Sequence, residues 1–76
     1  MSRINRITID KNIRHGKPVI KGTRVPVDLI VGSLAGGASM EKICEDYGIE
    51  KEDILAALEY AAQIISNEEV GDLAVA

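Results

Sequence analysis

The chain has no tryptophan and no phenylalanine, and two tyrosines among its 76 residues. A core without large rings must come from isoleucine, valine, leucine and alanine. Each of these buries less area than a ring, so a domain of this length lies near the lower limit of self-sufficiency. Self-association is the simplest source of further buried surface, and a homodimer is expected. One cysteine excludes an internal disulfide. With no charged-then-apolar leader ahead of the domain, a reducing cytoplasm is the expected compartment. No apolar run approaches the ~20 residues of a membrane span, so no membrane partner is expected. His15 has no second histidine to join it, and Cys44 falls on a helical stripe as a small buried hydrophobe. Neither a metal nor another cofactor is expected.

What is present is a strong division of charge. Residues 1–26 carry seven basic side chains (Arg3, Arg6, Lys11, Arg14, Lys17, Lys21, Arg24) against Asp10, a charge of +6. Residues 27–76 carry Lys42 and Lys51 against eleven carboxylates, a charge of -9, which leaves a formal net of -3. A basic front and an acidic back can attract each other within the fold, between protomers, or toward separate partners.

The least interchangeable run is Gly-Lys-Pro-Val-Ile-Lys-Gly-Thr-Arg-Val-Pro-Val at 16–27. Its β-branched residues favour a pleated surface, and Gly22 tolerates the positive φ of a tight connection. This predicts a short hairpin, with Val19-Ile20 beside Thr23-Arg24-Val25 and Lys21-Gly22 at the tip. Pro18 and Pro26 cannot donate to a ladder and belong at strand ends or on an edge. Upstream, Ile7 and Ile9 alternate with Arg6, Thr8 and Asp10, the period of a half-buried strand, and Asp10-Lys11-Asn12 reads as a turn. Together these pieces predict a small antiparallel sheet that needs a covering layer.

Three helices follow. The first spans about 27–35, with Val27, Ile30, Val31 and Leu34 on one face and Gly36-Gly37 at its end. The second is capped by Ser39, buries Met40, Ile43, Cys44 and Tyr47, and stops at Gly48. The third spans about 51–67, with Ile54, Leu58, Ala61 and Ile65 along one face, Ala57, Ala62 and Ile64 beside it, and Glu52 and Asp53 in its first turn. The expected fold is therefore α+β in one domain: a β segment over 6–26, a three-helix bundle over 27–67 and a tail over 68–76.

The second and third helices fit the pattern of a helix-turn-helix. Counting from Met40, the small fifth residue is Cys44, the ninth is Gly48, and the apolar positions are Ile43, Tyr47, Ile49, Ile54 and Ala57. That pattern specifies packing and leaves the ligand open. The exposed front of a reading helix would comprise Glu50, Lys51, Glu52, Asp53, Ala56 and Glu59, four acids that repel phosphate beside one lysine and a neutral alanine. Basic residues of the hairpin and N-terminal arm are better placed to meet phosphate. The run at 16–24 is not a P-loop, because five residues separate Gly16 from Gly22 and Thr23-Arg24 follows. Lys17, Lys21, Thr23 and Arg24 are the candidate residues for binding a partner or phosphate, against the plainer reading of a solvated hairpin tip. No nucleophile-base spacing appears, and a chain of this size hardly permits a catalytic cleft, so a non-enzyme is expected.

The segments Ile-Thr-Ile-Asp (7–10), Gly-Thr-Arg-Val-Pro-Val (22–27), Leu-Ala-Gly-Gly (34–37) and Glu-Asp-Ile-Leu-Ala-Ala-Leu-Glu-Tyr-Ala (52–61) closely resemble the domain of unknown function 433 (DUF433) family. That resemblance implies a winged-helix or homeodomain-like helix-turn-helix fold with an added hairpin. It also implies a role like that of VapB-type antitoxins, which bind and silence a PIN-like ribonuclease toxin. It supplies no catalytic residues. Autoregulation by binding operator DNA accompanies such a role. The alternatives are a DNA-binding transcriptional repressor without a toxin, and a structural dimerisation module.

Overall fold

The computed structural model describes residues 3–67. The tail expected over 68–76 lies outside the described residues. A 3₁₀ turn, Ile4–Arg6, leads into strand β1 (Ile7–Ile9), and a second short turn, Arg14–Gly16, leads into β2 (Pro18–Ile20). Helices α1 (Val27–Ala35), α2 (Met40–Tyr47) and α3 (Lys51–Asn67) follow. The architecture is the expected α+β arrangement, a small antiparallel sheet followed by three helices.

The sheet has two strands, paired antiparallel with Ile7 opposite Ile20, Thr8 opposite Val19 and Ile9 opposite Pro18. The expected hairpin keeps its turn and loses its return strand. Thr23 N–H donates to the Ile20 carbonyl at 3.0 Å, and Gly22 sits at φ +80°, the third-position geometry that glycine supplies without strain. Beyond it the return limb makes one bridge, Val19 with Pro26, and one further bond, from Ile20 N–H to the Val25 carbonyl at 2.9 Å. Two donors are missing from a longer ladder. Val25 N–H is taken by Thr23 Oγ1 at 3.0 Å, and Pro26 has no N–H. The turn before β2 runs through left-handed backbone at Arg14 (φ 52°), His15 (φ 58°) and Gly16 (φ 86°), a conformation uncommon for the first two residue types.

Each helix begins and ends where local chemistry dictates. Pro26 is the N-cap of α1, extended at ψ 148°. Ser39 Oγ accepts from Lys42 N–H at 3.1 Å and caps α2. Gly48 closes α2 in left-handed backbone, φ 67° and ψ 35°, and hands the chain to Ile49 and Glu50 before α3. The core joins all three helices to the sheet through Ile20, Val27, Ile30, Ile43, Ile49, Ile54 and Ala57. Burying each of its isoleucines stabilises the fold by roughly 1.5–3 kcal/mol before the entropy of ordering is subtracted.

The expected apolar face of α3 holds for its first half alone. Ile54 and Ala57 are buried, whereas Leu58, Ala62, Ile64 and Ile65 are exposed. Ala56, expected to face outward, is fully buried, and Asp53 is 9% exposed. The cause is the N-terminal segment, which packs on the front of α3 and rotates the buried sector toward Asp53 and Ala56. Tyr47, expected in the α2 stripe, lies at the surface, while Ile43 of the same stripe is buried.

Candidate partner-binding surface

The front of α3 is occupied from within the chain. Arg6 ends the 3₁₀ turn just before β1, and its guanidinium donates to Asp53 Oδ1 at 2.9 Å and to Glu50 Oε1 at 3.0 Å. Arg3 Nε donates to Glu52 Oε1 at 2.6 Å, and its backbone N–H donates to Glu59 Oε1 at 2.7 Å. Asp53 has a second task. Its Oδ2 accepts the N–H of Glu50 at 2.9 Å, so the third residue of the helix reaches back to the capping position, one half of a capping box. Hydrogen bonds to Asp53 first and Glu50 second, with the attraction of their charges behind them, hold the Arg6 guanidinium above its ordinary pKa. The Arg3 hydrogen bond holds the Glu52 carboxyl below the ordinary carboxylate range.

This arrangement settles part of the charge division inside the fold. Four of the acids at or near the start of α3 meet two arginines of the N-terminal arm. Arg3 and Arg6, expected among the basic groups available to phosphate, are instead internal counter-ions. No local pattern in the sequence marks this pairing, which joins residues 44 to 56 positions apart.

The four candidate residues occupy different settings. Lys17 lies just before β2 and pairs with Asp28 in the first turn of α1, Nζ to Oδ2 at 3.0 Å. That hydrogen bond lowers the Asp28 pKa from the ordinary range. Thr23 turns its hydroxyl inward to the loop. Oγ1 donates to the Ile20 carbonyl at 2.7 Å while accepting from Val25 N–H, so it braces the turn. Lys21 and Arg24 flank that braced turn, both exposed, and neither side chain has an ion pair among the described residues. Lys21 is anchored through its backbone, N–H to the Arg6 carbonyl at 2.7 Å. Lys17 and Lys21 thus stand just beyond opposite ends of β2, about 13 Å apart along the extended chain, with Arg24 on Lys21's side of the turn.

Lys11 and Arg14, in the connection between β1 and β2, are also exposed and without an ion pair among the described residues. They extend the basic surface to the far end of the sheet. Among the described residues no group of three His, Cys, Asp or Glu side chains is placed to hold a metal ion. No described helix is long and apolar enough to cross a membrane.

No curated protein matches the chain. Among solved structures, the crystal structure of Rv2018 from Mycobacterium tuberculosis is similar, with 31% sequence identity and a TM-score of 0.63. The match covers 68% of this chain and 24% of that one, so the present chain corresponds to about a quarter of that protein's length. A family profile described as "Protein of unknown function (DUF433)" matches residues 7–61, from the first residue of β1 to well within α3. That match takes in the sheet, the braced turn and the helix-turn-helix together, and the chain belongs to the DUF433 family.

Proposed function

We propose that the protein is an antitoxin-like binding module that docks on a PIN-like ribonuclease toxin and silences it. The observation that supports this reading is the unequal fate of the basic residues. Arg3 and Arg6 pair with the acids at the front of α3, while Lys21 and Arg24 have no ion pair among the described residues and lie on a turn braced by Thr23. A rigid cationic turn loses little conformational freedom on docking, and carboxylates such as those of a nuclease centre are its electrostatic complement. The same turn, with Lys11 and Arg14, is suited to phosphate, which is how a second activity on operator DNA would be served. The front of α3, whose four acids are engaged by the N-terminal arm, does not favour major-groove reading.

Co-purification with the product of the adjacent reading frame tests the toxin reading. The wild-type chain should retain that product, and Lys21→Glu with Arg24→Glu should release it. Absence of any complex with the wild type would refute the role. A gel shift with the DNA upstream of the protein's own reading frame tests a repressor without a toxin. That alternative requires binding at low salt that weakens steeply as salt rises.

A further inference from the structure

The cations that the fold does not pair gather at the two ends of the sheet. Lys11 and Arg14 lie in the connection between β1 and β2, and Lys21 and Arg24 on the turn after β2. All four are exposed and without an ion pair among the described residues. A further such cation, Lys51, stands between Glu50 and Glu52 in the sequence. Residues 10–24 carry Lys11, Arg14, Lys17, Lys21 and Arg24 against Asp10, a formal charge of +4. We infer that the two turns together grip the phosphate backbone of a DNA duplex without reading its sequence. This deepens the DNA-binding activity suggested above and rests on that reading of the basic turn.

Both turns are closed by their own hydrogen bonds. The 21–24 turn is braced by Thr23, and in the other connection Ile13 N–H donates to the Asp10 carbonyl at 2.8 Å, Gly16 N–H to Ile13 at 3.1 Å and Lys17 N–H to Arg14 at 3.2 Å. The carboxylate of that connection is taken up within it, since Asp10 Oδ1 accepts Asn12 N–H at 2.8 Å. The two cation pairs flank β2, whose ends at residues 17 and 21 are about 13 Å apart along the extended chain. That span is close to the ~12 Å width of the B-DNA major groove, so side chains from the two turns can rest on phosphates along its opposite edges. The major groove of an RNA duplex is too narrow to offer the same pair of edges. Single strands are held by stacking bases on aromatic rings, and residues 3–26 contain no Phe, Tyr or Trp. Reading bases would require Arg, Asn or Gln on an element that enters a groove. The front of α3, residues 50–59, has none of these, and its acids are engaged by Arg3 and Arg6.

Contact through four cations fixes the salt dependence. Each phosphate neutralised contributes about -0.9 to the slope of log affinity against log salt, so the slope should be about -3.6, an affinity loss of about 150-fold between 50 and 200 mM salt. With one turn discharged the slope should halve to about -1.8, a loss of about 12-fold over the same range.

Fluorescence anisotropy with the full chain and a short labelled DNA duplex of arbitrary sequence tests the inference. The wild type should bind at low salt with the steeper slope, and the duplex from upstream of its own reading frame should bind within a few fold of the arbitrary one. Lys11→Gln with Arg14→Gln, and separately Lys21→Gln with Arg24→Gln, should each halve the slope while far-UV circular dichroism is retained. If one double variant loses its fold, the other and the wild-type slope decide the matter. No binding at low salt would overturn the inference, as would a slope unchanged in a folded Lys11→Gln, Arg14→Gln chain. Tighter binding of the single strand, or of an RNA duplex of the same sequence, would overturn it too. The toxin reading fails separately: this assay contains DNA alone, and the toxin complex rests on Lys21 and Arg24 without Lys11 and Arg14.

Discussion

Replacing Asp53 by alanine should be among the most damaging single changes to a polar side chain of this domain. The carboxylate is 9% exposed as a residue and uses both oxygens, one for Arg6 at 2.9 Å and the other for the backbone N–H of Glu50 at 2.9 Å. Loss of a capping acceptor costs about 1 kcal/mol. Loss of a hydrogen bond to a charged group costs about 1.5–3 kcal/mol, taken here at the low end because the Arg6 side chain, 38% exposed, can turn to water. The expected total is about 2–3 kcal/mol, a large fraction of the ~5–15 kcal/mol that holds a typical domain. At about 4–8 °C per kcal/mol for a domain of this size, Tm should fall by about 10–20 °C. Asp53→Asn keeps an acceptor for the Glu50 N–H while giving up the charge, and should lose roughly half as much. Urea unfolding followed by far-UV circular dichroism measures both variants. The Arg6→Ala, Asp53→Ala pair should be less than additive, because each change removes the same contact. A change in stability within ~0.5 kcal/mol for Asp53→Ala would refute the claim that the arm is fastened through this carboxylate.

Other consequences can be checked more briefly. Lys21→Glu with Arg24→Glu should leave Tm within a few degrees, because both side chains are exposed and unpaired among the described residues, so any loss of partner binding is separable from folding. Gly48→Ala should destabilise by about 1 kcal/mol from left-handed backbone alone, since a Cβ there meets no atom within 4 Å, and Gly48→Asn should cost less, both by thermal melt. Asp28 and Glu52 titrate below the ordinary carboxylate range, held there by Lys17 and Arg3 respectively. A depressed carboxylate stabilises the fold above its unfolded-state pKa and loses that contribution as pH falls through the folded one. Stability should therefore decline on acidification below about pH 4, and less so in Lys17→Met.

The helices were legible because their ends carry specific chemistry. Ser39, Gly48 and the glycine pair at 36–37 bound α1 and α2, and β-branched residues with Gly22 located the turn after β2. The sheet's pairing was less legible. A tight turn predicts that flanking residues pair, but β2 found its main partner in β1, because Pro26 and the Thr23 hydroxyl remove the donors that a return strand needs. Periodicity also failed to place the rotation of α3. Ile54, Leu58 and Ile65 form a stripe on paper, yet burial depends on what covers the helix, and the arm of Ile4–Arg6 covers the side that bears Asp53 and Ala56. The pairing of Arg3 and Arg6 with distant acids spans up to 56 positions, beyond the reach of any local pattern. The charge totals showed that attraction was available, and the geometry showed which cations it consumed.

The most direct test is a hydrogen-exchange footprint of the chain bound to the product of its adjacent reading frame. Protection is expected across the 21–24 turn, with the first two turns of α3 exchanging as they do in the free protein. Protection of the Lys51–Glu59 face with no change at Lys21 and Arg24 would mean that the partner displaces the N-terminal arm, and would contradict the account.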